Sequence, residues 1–311
     1  MEELRSTPSR TTRLVGYACA LGAGAIWGTT GPLSTLLYAQ GSTLTGIGFW
    51  RLLIGFAGIL AWGLIVDRGL FRIDRRGWLL VGIVGGVFVA LFEVAYQFAI
   101  SGTGVAGAAA LLYTAPVLVA VLAKPLLGER LTRLRLVLAI AVMSGAVLAV
   151  LGGSRAGVTI ATTLRNGVLG GALAALSYVG TTLLARFAVP RYGAMRVLFL
   201  EILGGIVVLG IVLPLARRPP LPPSSSGAWI YTVLLAAGTV IAANVLFFNA
   251  AKRIDAAPTA VAATIEPVAG AVLAFFILGQ RSTMLGVIGL LMVVAGVAGG
   301  YLEESRLETR R

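Results

Sequence analysis

The sequence predicts an all-α membrane protein with ten transmembrane helices, arranged as two inverted five-helix repeats. Hydrophobic residues make up 58% of the 311, charged residues 12%, and the mean hydropathy is +0.94, which excludes an ordinary soluble domain. Windows of about 20 apolar residues, the length that crosses a bilayer core of about 30 Å, recur ten times. The chain also repeats itself: a shift of 151 lays residues 116–145 on 267–296 without a gap, and 13 of those 30 positions are identical. Five crossings per copy is an odd number, so the second copy enters the membrane from the opposite face. Inverted halves of this kind are the architecture of secondary transporters.

In order along the chain, the apolar segments are 14–37, 44–66, 77–98, 104–124 and 134–152, then 166–188, 194–215, 228–250, 256–278 and 283–302. The first follows Arg5, Arg10 and Arg13 and resembles a signal peptide, but its repeat counterpart at 166–188 is internal, so it reads as a retained helix. The first repeat then covers 14–152 and the second 166–302, joined by 153–165 and flanked by cytoplasmic tails 1–13 and 303–311. The Pro-Pro-Leu-Pro-Pro-Ser-Ser-Ser run within 217–227 cannot be helical and reads as an outer loop.

The net charge of +13 is spread over the edges of apolar segments, as topology determinants are, and does not form a nucleic-acid face. With the N-terminus inside, 19 of the 25 basic residues fall in cytoplasmic tails and loops and five in outer loops, leaving Arg51 inside a helix. Both termini are therefore expected in the cytoplasm. The absence of histidine removes imidazole catalysis and the usual zinc sites, and the single Cys19 permits no intrachain disulfide. No cofactor, no metal and no nucleic-acid partner is expected. The partners read from the sequence are a small-molecule substrate and the lipid bilayer, with monomer and homodimer both open.

Forty-one glycines suit close helix packing, and Gly24/Gly28, Gly82/Gly86, Gly167/Gly171 and Gly296/Gly300 have GxxxG spacing, for packing or for a dimer or sliding surface. Gly102, Gly104 and Gly107 match a dinucleotide-binding pattern but lack its strand and its acidic residue, so the match is discounted. Pro32, Pro116 and Pro267 fall mid-segment, the last two at equivalent positions, and are expected to kink their helices and free the carbonyls of Gly28, Leu112 and Ala263. Paired discontinuities near the midplane point to a transporter binding site, with passive kinks as the alternative.

Four charges lie inside segments: Arg51, Glu93, Glu201 and Glu266. Each would cost on the order of 3 kcal/mol if ionised and lipid-facing, so each should face the bundle interior or a wet cavity. By depth, Arg51 and Glu93 can pair, Glu201 lies too far along its axis to join them, and Glu266 sits about 15 Å from either face with no cation at its level. An unpartnered carboxyl there fits a coupling group or a receptor for a substrate ammonium; the structural alternative is a protonated acid joining helices. Asn244 is a further polar group, as ligand or as helix glue. Trp27, Tyr96, Tyr113, Tyr178 and Phe247 lie inside segments and away from the interfacial belts, and Trp27/Tyr178 and Tyr96/Phe247 are repeat mates. They are candidates to line a common substrate cavity, against core packing as the default.

Thr114-Ala-Pro116-Val117 through Leu127-Gly128-Glu129-Arg130-Leu131-Thr132, and Ile265-Glu266-Pro267-Val268 through Leu278-Gly279-Gln280-Arg281, resemble the two signatures of the EamA-type drug/metabolite transporter superfamily. Trp27-Gly28 and Phe49-Trp50-Arg51 are similar too, whereas Gln280 departs from the glutamate seen at Glu129. The resemblance implies an exporter of metabolites or amino acids in a bacterial inner membrane, and the intramembrane aromatics look most like the aromatic amino acid exporter branch. The rival readings are a carrier of drugs, sugars, nucleosides or polyamines, a channel, and an assembly subunit. No Gly-x-x-x-x-Gly-Lys-Ser/Thr motif supports direct ATP drive, and no catalytic cluster supports an enzyme.

Overall fold

In the computed structural model, which describes residues 10–129, 131–153, 164–278 and 282–309, the fold is all helical, with no strand among the described residues. The first crossing is divided into α1 (Arg10–Trp27) and α2 (Thr30–Ala39), and α3 (Leu44–Ile65) is the second. The third starts at the short α4 (Arg75–Gly77) and passes through a π-helical segment, Trp78–Gly85, into α5 (Gly86–Leu112). α6 (Ala115–Leu127) and α7 (Arg133–Gly153) complete the first repeat. The second repeat holds α8 (Leu164–Tyr192), α9 (Ala194–Leu215), α10 (Ser226–Leu235), a second π-helical segment (Ala236–Ala242), α11 (Ala243–Arg253), α12 (Ala256–Ala263), α13 (Glu266–Leu278) and α14 (Met284–Thr309). Among the described residues seven helical spans are long and apolar enough to cross a bilayer singly. The divided first and fourth crossings and α7 make the other three, so the protein has ten transmembrane helices. The predicted joint between repeats lies mostly at 154–163, outside the described residues.

Local sequence sets the helix starts. Thr132 and Thr283 are repeat mates, and each accepts from the backbone N–H three residues on, that of Arg135 at 3.0 Å and of Gly286 at 3.3 Å, to cap α7 and α14. Ser225 caps α10 in the same way through Ala228 N–H at 3.1 Å, directly after the non-helical proline run. α6 ends at Gly128, whose φ of +67° is open to glycine at little cost and turns the following Glu129 back toward the bundle. Large side chains such as Ile65 and Phe276 remain 83% and 77% exposed on the periphery, the lipid-facing side of such a bundle.

The inversion is visible in which residues meet. The repeat-equivalent α7 and α14 run antiparallel: Gly289 lies against Ala149, Gly145 against Met292, and Gly299 against Leu138. α1 packs antiparallel to the eighth crossing, with Gly16 at Ile254, Gly22 at Leu246 and Trp27 at Thr239, and then parallel to the ninth, with Gly24 at Ala263 and Gly28 at Ala269. α8 does the same in the first repeat, meeting Phe88 at Gly180 and Phe98 at Gly170 in one direction, then Leu111 at Gly171 and Glu129 at Arg186 in the other.

That pattern corrects a boundary. The sequence places a turn between segments ending at 98 and starting at 104, yet helical hydrogen bonding continues through α5 from Gly86 to Leu112. The chain still reverses: Phe98 and Leu111 both contact the adjacent pair Gly170/Gly171, whereas a straight helix would separate them by about 20 Å. The discounted Gly102–Gly107 motif lies on this bent helical stretch and forms no nucleotide-binding loop.

Two of the GxxxG pairs, Gly24/Gly28 and Gly82/Gly86, pack against other helices of the same chain. A methyl on Gly24 would overlap the Ala263 carbonyl, and one on Gly28 would lie 2.8 Å from Glu266 O and from Gly270 N. α1 thus presses its glycine face directly on the break in the ninth crossing. Gly82 and Gly86 receive Gly204 of α9 with the same backbone-to-backbone closeness.

Candidate functional site: a cavity between two broken helices

The three prolines do not kink continuous helices. Each sits in the first turn of a new one: α1 stops at Trp27 and α2 resumes at Thr30, α5 stops at Leu112 and α6 resumes at Ala115, α12 stops at Ala263 and α13 resumes at Glu266. Pro32, Pro116 and Pro267 therefore occupy positions where a missing N–H costs nothing, and the discontinuity lies just before them. Each break is tightened by a three-residue backbone bond, Thr29 N–H to Ile26 O, Thr114 N–H to Leu111 O and Ile265 N–H to Ala262 O. A threonine hydroxyl also donates to a carbonyl in every case, Thr29 to Ile26 and Thr114 to Leu111 at 2.7 Å, Thr264 to Ala260 at 2.9 Å. Such side-chain bonds satisfy part of what an interrupted helix leaves open inside a membrane.

The breaks of the fourth and ninth crossings face one another. Leu112, Tyr113, Ala115 and Pro116 from one and Ala263, Thr264 and Glu266 from the other line a cavity with Tyr178 of α8. The free space, about 20 Å³, holds a water molecule and no metabolite, so this conformation is closed around its site. Glu266 is half-buried, and among the described residues its carboxyl has no cation within ion-pair distance and no hydrogen-bond donor. Repeat symmetry puts Ala115 opposite Glu266, so one of the two half-helices entering the cavity begins with a carboxylate and the other with a methyl group.

The remaining predicted residues divide. Trp27, Tyr178 and Phe247 form one aromatic cluster, with Trp27 5.2 Å from Phe247 and 6.3 Å from Tyr178 between centroids, and Tyr178 brings it to the cavity wall. Phe247 is 3% exposed and belongs to the packed core, and Trp27 is anchored by its indole N–H to Thr239 O at 3.0 Å. Tyr96 stands apart from that cluster, stacked on Phe92 at 5.5 Å and 8°. The Asn244 amide donates to Thr239 O and Val240 O at 3.1 and 3.0 Å, in the π-helical segment whose wider turn leaves these carbonyls available to side chains. Its role in this conformation is to hold its own helix.

Arg51 and Glu93 form an ion pair at 2.5 Å between α3 and α5. Glu201 is 2% exposed, and its Oε1 has no partner; the side chain lies against Gly85 at the end of the first π-helical segment. Neither lines the central cavity. Thr264 and Thr239 were not among the predicted residues. The first was legible as a hydroxyl beside the Glu266-Pro267 break, whereas nothing in the sequence marks the second, which acts through its carbonyl. Among the described residues no group of histidine, cysteine, aspartate or glutamate could hold a metal.

Ten membrane helices in two inverted halves, with a small pocket where two broken helices meet, are the architecture of a secondary transporter. The chain belongs to the EamA-like transporter family, whose model matches residues 14–151 and again 165–301. An uncharacterized transporter of Archaeoglobus fulgidus is 30% identical over 274 residues, 88% of this chain and 92% of that one. A crystal structure of another protein superposes with a TM-score of 0.79 over 96% of this chain and 99% of its own, at 23% identity, which shows a shared fold.

Proposed function

We propose that the protein is a secondary exporter of small metabolites, amino acids first, working by alternating access in a bacterial inner membrane with both termini in the cytoplasm. The observation that carries this reading is the unpaired Glu266 carboxyl at the mouth of one half-helix, facing the uncharged start of another. Helix N-termini carry unsatisfied N–H groups and partial positive charge, which favour an anion. At α6 that end is open, since Ala115 brings no charge; at α13 the Glu266 carboxylate offers a place for a cation. A zwitterion with its carboxylate at α6 and its ammonium at Glu266 satisfies both. The rings of Tyr113 and Tyr178 give an apolar side chain a surface to pack against, which favours aromatic and hydrophobic amino acids. Residues 14–152 and 166–302 act as the two rocking halves, and the sidedness of the basic residues supports the orientation.

The test is counterflow in proteoliposomes, with labelled amino acids, polyamines, nucleosides and sugars each offered with and without a pH gradient. Saturable counterflow of neutral amino acids is the expected result. Saturable movement of sugars or nucleosides alone contradicts the zwitterion reading, and unsaturable flux makes the protein a channel.

A further inference from the structure

We propose that Arg186 is the keystone of an ion-pair latch that closes the cytoplasmic end of the bundle, and that among the described residues no ion pair joins the two repeats at the outer end. Arg186, at the end of α8, joins three partners: Asp255 Oδ1 at 3.1 Å, Glu129 Oε1 at 3.4 Å and the carbonyl of Ala251 at 2.7 Å. Arg135 of α7 holds the other oxygen of Asp255 at 3.1 Å, and Glu129 also accepts from Ala256 N–H at 2.8 Å. The cluster ties Glu129 and Arg135 of the first repeat to Arg186 and Asp255 of the second, across the line along which the halves must part.

Among the described residues no ion pair joins the repeats at the other end. In repeat register Glu129, Arg135, Arg186 and Asp255 correspond to Gln280, Gly286, Thr35 and Gly104, none of them charged. The described contacts there include hydrogen bonds between neutral groups and one arginine–ring contact: Ser225 Oγ donates to Gln40 Oε1 at 2.6 Å, Trp50 Nε1 donates to Pro220 O at 3.3 Å, and the Arg218 guanidinium lies 5.5 Å from the centroid of the Phe98 ring. Opening inward therefore requires breaking charge pairs between the repeats, one of them to a carboxylate whose side chain is 3% exposed, while opening outward breaks hydrogen bonds between neutral groups and one arginine–ring contact. The asymmetry sets the resting state as closed to the cytoplasm.

The partners are not equal. Burial first, then the neighbouring Asp255 carboxylate, pushes the Glu129 carboxyl above the ordinary carboxylate range, against the lowering effects of Ala256 N–H and Arg186. Glu129→Gln leaves Arg186 its Asp255 and Ala251 partners and buries no unpaired carboxylate, so it should loosen the latch only in part. Removing Arg186 instead strands a buried carboxylate and half of the Asp255 pairing.

The inference rests on the orientation proposed above, and the test separates the two. Full-length protein carrying Cys19→Ala, with spin labels at the exposed positions Arg133 and Lys252, reports the opening of this end by electron–electron distance. The parent should show one short-distance population; Arg186→Gln should raise the open-to-closed ratio by about tenfold or more, and Glu129→Gln should raise it by a clearly smaller factor. An unchanged distribution in a folded Arg186→Gln protein overturns the latch, as does equal opening by Glu129→Gln. Arg135→Gln, at the rim, gives a smaller shift in the same direction and keeps the test decisive if Arg186→Gln fails to fold; no shift there overturns the latch as well. Impermeant thiol reagent on intact cells reads the orientation separately, because Lys252→Cys is protected only if this end is cytoplasmic.

Discussion

Replacing Glu266 by glutamine keeps the shape of the side chain and removes its charge. Among the described residues no guanidinium or ammonium pairs with Glu266, so the substitution breaks no internal ion pair and should leave folding intact. The loss then falls on the substrate. A hydrogen bond to a charged group contributes about 1.5–3 kcal/mol, and taking about 2 kcal/mol the variant should bind a zwitterionic amino acid roughly 30-fold more weakly. Titration calorimetry in detergent and counterflow in liposomes measure this directly, with the thermal unfolding midpoint as the control for folding. The same comparison with a ligand lacking the amino group sharpens it: parent and variant should bind that ligand equally. An affinity for the amino acid within about twofold of the parent, in a folded variant, refutes the assignment of the ammonium to Glu266.

Other perturbations follow from the packing and charge. Gly24→Ala drives a methyl into the Ala263 carbonyl and the Ile265 side chain, so it should cost about 1–3 kcal/mol of stability, whereas Gly210→Ala, with open space around it, should not; equal unfolding midpoints contradict the close seat of α1 on the break. Arg51→Gln strands the Glu93 carboxylate, which is 7% exposed, and should destabilise by about 3–5 kcal/mol, with most of the loss recovered when Glu93→Gln is added; a single variant as stable as the double denies the pairing. Asp74 is held below the ordinary carboxylate range, first by the Gly77 N–H and then by the Tyr192 hydroxyl. Because the folded value is the lower one, its tie between the 67–77 loop and the end of α8 is complete above the ordinary carboxylate range and is lost as pH falls through the depressed value. The protection of amides in that loop, measured against their intrinsic exchange rate at each pH, should fall only in strong acid, and a fall already near the ordinary carboxylate value contradicts the tie.

Much of this molecule can be read from its residues because a bilayer leaves few options. The 151-residue repeat and the odd number of crossings imply the inversion, and the antiparallel packing of α7 on α14 follows from it. Pro116 and Pro267 point to the facing breaks because proline is tolerated in the first turn of a helix and not in its interior, so a helix start falls just before each. What the periodicity cannot reveal is how a break is resolved, here by threonine hydroxyls and three-residue turns with proline displaced into the next first turn. The aromatic set was half legible: Tyr113 and Tyr178 reach the cavity, while Phe247 and Tyr96, equally apolar and equally deep, are sorted by rotations about the helix axes that no single segment encodes. The π-helical segments, and with them the work of Asn244, leave no mark in composition. The role of Glu129 was hidden for a different reason. Its partners Arg186 and Asp255 are distant in sequence, and only the fold brings them together.

The central claim is that the fourth and ninth crossings, broken at equivalent places, together enclose one substrate. Thiol labelling of Tyr113→Cys and of Thr264→Cys, each in a Cys19→Ala background in membranes, addresses it most directly, because one residue comes from each break. Both cysteines should react with a water-soluble reagent, and the same transported amino acid should slow both reactions. Reaction of either cysteine at a rate indifferent to every substrate that shows counterflow would place the site elsewhere.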